Sequence, residues 1–147
     1  MEEIATILFV CTGNSCRSPM AQAIFNKIAR SKNLRCTSLS AGFSPNPSGD
    51  ISKNAKVALA EIGIDFSHVP VLLNADLLQK SKYVFGLTKK HAQNIILLYP
   101  KFREKVFSFP IEIPDPYGGD IEVYRKSRDA IFEGINTIVE HLIKKQL

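Results

Sequence analysis

The stretch Cys11-Thr12-Gly13-Asn14-Ser15-Cys16-Arg17-Ser18-Pro19 sets a thiol and a guanidinium six positions apart across small side chains. Thiolate is the nucleophilic form of cysteine, and a nearby cation or helix N-terminus favours it. The apolar run Ile7-Leu8-Phe9-Val10 precedes the stretch, and Ala21, Ile24, Phe25 and Ile28 follow at helical spacing. A buried strand therefore ends at Cys11, turns through a loop and enters a helix. Unpaired N–H groups and the positive dipole end of such a helix attract anions. Phosphate needs several convergent donors, and residues Thr12, Gly13, Asn14, Ser15, Cys16, Arg17 and Ser18 supply them. Gly13 has no Cβ to obstruct the bend, and Asn14 tolerates the left-handed conformation of a tight cradle. Arg17 offers a planar fork for two phosphate oxygens and for the charge of a transition state. In this scheme Cys11 attacks phosphorus in line, and Ser18 hydrogen-bonds the sulfur and improves it as a leaving group. The competing reading of a lone Cys is a buried, inert thiol. The strand before it, the small loop residues and the Ser-Pro helix start favour the nucleophile.

Expelling an oxygen or nitrogen leaving group requires a proton donor. Asp115, in the loop Asp115-Pro116-Tyr117-Gly118-Gly119, is a candidate among 14 acidic residues. An Asp before Pro is also a common turn initiator, so the residue pattern leaves its role open. Tyr117 reads either as a pocket wall or as a core tyrosine. By itself His68 reads as an ordinary structural or surface histidine.

The elements that must position these groups follow from hydrophobic period and from caps. Ser18 and Pro19 start a helix that runs to Arg30, with Ser18 as its cap and Pro19 in its first position. Cys36-Thr37-Ser38-Leu39-Ser40 reads as a strand in which Cys36 packs, and the segment from Gly42 to Gly49 reads as a loop. Ser52 caps a helix that ends at Gly63, with Ala55, Leu59 and Ile62 facing inward. Asn74 starts a short helix over 75–80. A strand over 83–87, a helix over 91–98 and a strand over 106–109 follow, then a Pro- and Gly-rich loop over 110–119. The last helix spans 121–145 with Ile131, Ile135, Ile138 and Leu142 on one stripe. Strands alternating with helices imply an α/β fold with a parallel sheet covered on both faces, with ligands bound beyond the strands' carboxyl ends.

The 147 residues fit one domain, 1–147. With 45% hydrophobic and 22% charged residues, disordered and fibrous classes are disfavoured. No apolar run approaches the roughly 18 residues of a membrane span. The acidic start Met1-Glu2-Glu3 is unlike a signal peptide. Three cysteines without metal-ligand spacing argue against a disulfide framework or a metal site and for a reducing cytoplasm. The net charge of +5 is scattered, which suits a solvated face with a mild preference for anions. No aromatic-rich motif accompanies it, so nucleic acid is not an expected partner.

Cys11 to Pro19 resembles the active-site loop of the low-molecular-weight protein tyrosine phosphatases, C-x5-R-S near the N-terminus. Asp115 to Gly119 is similar to that family's Asp-Pro loop, and Ser40-Ala41-Gly42 and Ser67-His68-Val69 also look like family segments. The resemblance implies a three-layer sandwich around a mostly four-stranded parallel sheet. It implies a phosphorylated protein substrate, no cofactor, and a monomer or weak dimer. By the resemblance Cys11 is the nucleophile, Arg17 the transition-state stabiliser and Asp115 the general acid and then base. Tyr117 and Ser15 border the substrate, and Asn14, Ser18, Ser40 and His68 form the network that holds the loop. Family members with both thiols suggest a redox disulfide between Cys11 and Cys16; the alternative for Cys16 is a small loop residue facing the core. The family often has an Arg soon after the Ser-His pair, whereas Val69-Pro70-Val71-Leu72-Leu73 follows here, a departure at the pocket rim.

Two further likenesses concern the reaction. The loop is similar to that of thioredoxin-coupled arsenate reductases, but the segment from Tyr83 to Phe109 lacks the cysteines that relay would need, and Pro19 stands where those enzymes often have Gln. Thr12, Ser15, Thr88 and His91 make the chain look like the bacterial protein-arginine phosphatases. Those carry a small polar residue, usually Thr, at the position of Ser15. A hydroxyl there accepts from a guanidinium that an aliphatic side chain would leave unpaired. Phosphotyrosine and phosphoarginine are both consistent with the remaining residues.

Overall fold

The structure, a computed structural model, describes residues 4–46 and 49–146. Strand β1, Ala5–Cys11, carries the run Ile7-Leu8-Phe9-Val10, and all four side chains are buried because both faces of the sheet are covered. Its neighbours are β2, Cys36–Gly42, and β3, Tyr83–Gly86; β4, Val106–Ser108, pairs with β3. All pairings are parallel, in the order β2-β1-β3-β4. Ile7, Phe9 and Cys11 of β1 point to one side, into a core shared with α1, Arg17–Ser31, α2, Lys53–Ala60, and α5, Ile121–Gln146. Leu8 and Val10 point to the other, where α3, Ala75–Lys80, and α4, Lys89–Leu98, cover Val84 and Val106. This is the α/β sandwich expected from the alternation of elements.

Most element starts obey their caps. The Ser52 hydroxyl accepts from Ala55 N, Asn74 Oδ1 from Leu77 N, and Thr88 Oγ1 from His91 N. Thr88 thereby starts α4 at Lys89, two residues earlier than the apolar pattern alone suggests. The exception is the first helix. It begins at Arg17, its cap position is Cys16, and no side chain caps it. Ser18 is not the cap: it lies inside the first turn, and its hydroxyl is taken up by Cys11 and Asn14. Pro19 is the third helical residue, where its missing N–H would also have had no intrahelical acceptor. Helix α2 stops at Ala60 rather than Gly63. The chain then turns through Gly63 at φ +79°, with Ile64 N returning to Leu59 O at 3.0 Å. A 3-10 turn over Pro100–Lys105, with no counterpart in the sequence reading, leads into β4. Strand β2 runs on through Gly42, and Pro47 and Ser48 of the expected loop lie outside the described residues. Among the described residues no helix is long and apolar enough to cross a membrane.

The strands' carboxyl ends bring Cys11, Gly42 and Gly86 side by side, because Cys11 is in register with Gly42 and Val10 with Gly86. β1 lies between β2 and β3, so the chain leaves it toward opposite sides and opens a crevice at its end. Gly42 lets the loop after β1 lie against β2: a Cβ there would sit 2.6 Å from the Thr12 carbonyl oxygen and 2.9 Å from Asn14 N. Both are backbone atoms that cannot swing away. Gly42→Ala is therefore expected to lower the unfolding free energy by about 1–3 kcal/mol, the range for overpacking. Urea denaturation checks this, and an unchanged midpoint would show that the loop can shift freely.

Candidate active site

The loop from Cys11 to Arg17 bends at Asn14, which adopts a left-handed φ of +53°. The cost of that conformation is offset by a fully buried side-chain amide with every polar atom used. Asn14 Nδ2 donates to Ser18 Oγ at 2.8 Å, and Oδ1 accepts from Val71 N at 2.8 Å and from His68 Nε2 at 2.7 Å. Because Oδ1 can only accept, Nε2 of His68 carries the proton. Ser18 Oγ, already accepting from Asn14, lies 2.9 Å from Cys11 Sγ, and Asn14 N donates to that sulfur at 3.3 Å. Hydrogen bonds thus run in one direction from His68 through Asn14 to Ser18, whose own hydrogen lies within reach of the Cys11 sulfur and, at 3.5 Å, of the Ala41 carbonyl oxygen. Ser40 Oγ is 3.3 Å from His68 Nε2 and donates to Gln22 Oε1 at 2.5 Å, so it braces the ring from the β2 side. The four residues Asn14, Ser18, Ser40 and His68 are thus joined by hydrogen bonds beside the loop.

Arg17 is 6% exposed, and its Nη1 donates to the Ile113 carbonyl oxygen at 3.1 Å. This bond ties the start of α1 to the segment before Asp115. Asp115 Oδ2 lies 3.8 Å from Arg17 Nη2 while Oδ1 accepts from Tyr117 N at 3.1 Å, the local turn expected of Asp before Pro. The turn and the approach to Arg17 coexist in one carboxylate. A cavity of about 430 Å³ opens between them, lined by Cys11, Arg17, Asp115, Thr12, Gly13, Ser15 and Cys16. Tyr117 stands on its rim and is 79% exposed, so it is no core residue. A buried thiol that lines the cavity, a buried cation beside it and a carboxylate facing that cation can transfer a phosphoryl group and protonate its leaving group.

The family model for low molecular weight phosphotyrosine protein phosphatase matches residues 6–147. The chain belongs to that family. Its relatives include a protein-arginine-phosphatase of Bacillus subtilis, 36% identical over 94% of this chain and 97% of that protein. Another is arsenate reductase 1 of Staphylococcus epidermidis, 33% identical over 93% of this chain and 97% of its own length. A solved structure described as YwlE arginine phosphatase, a cysteine-to-serine mutant with its active-site serine phosphorylated, superposes with a TM-score of 0.92. It is 35% identical and covers 95% of this chain and 96% of that one. The protein is thus a cysteine-dependent phosphatase of the low-molecular-weight family, the class to which the loop and the fold already pointed.

Several residues that meet in the phosphatase's cavity carry no sequence signal for it. Ser44, Asn46, Gly49, Asp50, Ser52 and Pro70 come to its edge from the segments after β2 and before α3. Asp50 Oδ1 accepts from His68 N at 3.2 Å and from Ile51 N at 2.7 Å, and Oδ2 meets Lys56 Nζ at 2.7 Å. These bonds, with the Lys56 bond first, hold its carboxyl down at about 2. Only Ser52 had a visible signal, as a helix cap. Cys16 lines the cavity, but its sulfur is also 3.4 Å from both Ser52 Oγ and Tyr124 Oη. Burial, with Cys16 beside it, pushes the Tyr124 phenol up to about 12. Cys36 is buried in the core as expected. Among the described residues, no group of His, Cys, Asp or Glu is arranged to hold a metal ion.

Two histidines brace the loop from opposite sides. Burial lowers the pKa of His68, against a smaller opposing pull from Asp50. Burial, and then the charge of Arg17, lower that of His91 to about 4, so both rings are neutral at pH 7. A base whose folded pKa lies below its unfolded value of about 6.5 binds its proton less readily when folded. The stability contributed is complete above pH 6.5 and is lost as pH falls toward 4. For His91 the full swing is about 3 kcal/mol. His91→Gln should therefore flatten the loss of unfolding free energy between pH 6.5 and 4.5 in urea titrations. Parallel pH curves for mutant and wild type would contradict this.

Proposed function

We propose that the phosphatase hydrolyses phosphoarginine in proteins through a cysteinyl-phosphate intermediate, with Cys11 as nucleophile, Arg17 as transition-state stabiliser and Asp115 as general acid and base. The single observation that carries the substrate is the chemistry of the cavity's side chains. Thr12, Ser15, Ser44, Asn46 and Asp115 bring hydroxyl, amide and carboxylate groups to the cavity, Asp50 and Ser52 stand at its edge already engaged by neighbouring donors, and the aromatic Tyr117 is only at the rim. A guanidinium carries several N–H donors that need acceptors once desolvated, whereas a phenyl ring is best served by apolar walls. The likeness to protein-arginine-phosphatases supports the same reading.

In the first step the Cys11 thiolate forms the S–P bond while the P–N bond breaks, and Asp115 gives its proton to the departing guanidine nitrogen. Arg17 and the loop N–H groups neutralise the charge gathering on the equatorial oxygens. In the second step the Asp115 carboxylate takes a proton from water, which attacks phosphorus. The S–P bond breaks, helped by the Ser18 hydrogen bond to the departing sulfur. Phosphotyrosine would follow the same course with a P–O bond, so activity on aryl phosphates is expected as well. The shared cavity also supports a two-electron oxidation of Cys11 and Cys16 to a disulfide by a peroxide, which would sacrifice the bonds from Cys16 to Ser52 and Tyr124. Three cysteines, an odd number without metal-ligand spacing, suit a reducing cytoplasm.

The decisive measurement is kcat/KM for matched phosphoarginine and phosphotyrosine peptides. Wild type should favour phosphoarginine, and Ser15→Ile should shift the ratio toward phosphotyrosine by about tenfold, the worth of one lost acceptor. An unshifted ratio would remove Ser15 as a determinant of specificity. Asp115→Asn should slow turnover by roughly 10²–10⁴-fold, most for the poorest leaving groups. A loss independent of leaving-group pKa would reject the acid role.

A further inference from the structure

His91 belongs to α4 yet reaches the phosphate loop, 79 residues away in sequence: its Nε2 lies 3.0 Å from Thr12 Oγ1. Its Nδ1 lies 3.0 Å from Thr88 Oγ1, the hydroxyl that also accepts His91 N at 3.1 Å as the cap of α4. A threonine hydroxyl has one hydrogen and two lone pairs. Thr88 spends one lone pair on the backbone N–H and keeps its hydrogen and a second lone pair for Nδ1. With the Thr88 hydrogen donated to Nδ1, Nε2 carries the ring hydrogen and donates it to Thr12 Oγ1, and the hydrogen of Thr12 is turned away from the ring; with the lone pair taking an Nδ1–H, Nε2 is the acceptor and the order reverses. Thr12 lines the cavity with Cys11, Arg17 and Asp115, and on its other side it lines a second cavity, of about 450 Å³, with His91 and Thr88.

We infer that His91 is a positioning residue: clamped between Thr88 and Thr12, it fixes the Thr12 hydroxyl as a hydrogen-bond donor to an oxygen of the bound phosphoryl group. The clamp is built into the fold. A Cβ on Gly86 would sit 2.5 Å from Ala92 N and 2.8 Å from His91 Cβ, so α4 reaches the loop only because β3 ends in glycine. His91 is 6% exposed, and the Phe43 ring is stacked against it at 6.0 Å with an interplanar angle of 24°. Packing alone explains a flat buried ring, but not the placement of both nitrogens on hydroxyls. The ring is also neutral, which the directed chain requires: an imidazolium would donate from both nitrogens and leave the Thr88 hydrogen without its acceptor.

The inference rests on the proposed role of the Cys11 loop, and its test separates the two. In the wild-type enzyme, long-range ¹H–¹⁵N spectra of the His91 ring should show the Nε2–H tautomer, a readout independent of catalysis; an Nδ1–H ring would overturn the inference. His91→Phe keeps the ring and its stacking but loses both nitrogens. It should weaken inhibition by inorganic phosphate and lower kcat/KM by about tenfold, the effect of one donor to a charged group. Thr12→Val should do the same. The double variant should be no worse than either single one, and His91→Gln, which retains an N–H donor, should restore most of the loss. Additive losses, or an unaffected phosphate inhibition constant in folded His91→Phe, would rule the clamp out. Failure of the phosphatase reading has a separate signature: wild type inactive on every phosphoryl substrate, with the tautomer and phosphate affinity as stated.

Discussion

The site depends on one buried amide. Asn14 occupies a left-handed conformation that costs a non-glycine residue about 1–2 kcal/mol, and its side chain is what makes the conformation persist. A glycine would adopt the same φ freely but would leave Ser18, His68 and the Val71 N–H without their shared partner. Because the amide has distinct donor and acceptor ends, it also gives the network its direction. Nδ2 must donate to Ser18, which leaves the Ser18 hydrogen for the Cys11 sulfur or the Ala41 carbonyl oxygen, and Oδ1 must accept, which assigns the proton on His68. A constraint on backbone shape therefore doubles as the electrostatic environment of the nucleophile. The amide also pins the segment 67–72 to the loop, which carries Pro70 to the edge of the cavity.

The sheet supplies what a loop cannot supply alone. In a parallel sheet every strand delivers its carboxyl end to the same side, so the segments after β1, β2, β3 and β4 converge there. The loop after β1 brings Cys11 and Arg17, the segment after β2 brings Asp50 and Ser52, α4 after β3 brings His91, and the chain after β4 brings Asp115. Two glycines, Gly42 and Gly86, close the distances at the strand ends flanking β1. Arg17 is the common reference point: it is anchored on the Ile113 carbonyl and faces Asp115, which couples the start of α1 to the last loop. The charge of that buried guanidinium also helps to keep His91 neutral. His68 and His91 thus serve in the same protonation state on opposite flanks, one hydrogen-bonded to Asn14 and one to Thr12.

What could be read from the sequence was whatever neighbouring residues decide among themselves. The buried run of β1, the turn through small residues and the periodicity of α1 and α5 are short-range facts, so the strand-loop-helix around Cys11 and the pairing with Arg17 were legible. Caps behave the same way, and Ser52, Asn74 and Thr88 obey their local rule. Ser18 breaks it, since its hydroxyl lies nearer to Cys11 and Asn14, and tertiary demand outranks the helix start. Asp115 needed the family likeness, because one carboxylate among fourteen carries no mark of what it will face.

Only the tertiary structure decided which distant residues meet. His68 lies 54 residues from Asn14 and His91 lies 79 from Thr12, and their hydrogen bonds depend on the strand order β2-β1-β3-β4, which no local pattern encodes. The placing of Ser44, Asn46, Asp50 and Ser52 at the cavity's edge and the exposed Tyr117 were settled in the same way. By itself the sequence determined the chemistry, a thiol and a guanidinium on a phosphate loop, because that chemistry is compressed into nine consecutive residues. The fold decided the walls around it and the direction of the hydrogen bonds that reach it, because those are set by which chain segments a parallel sheet gathers at one end.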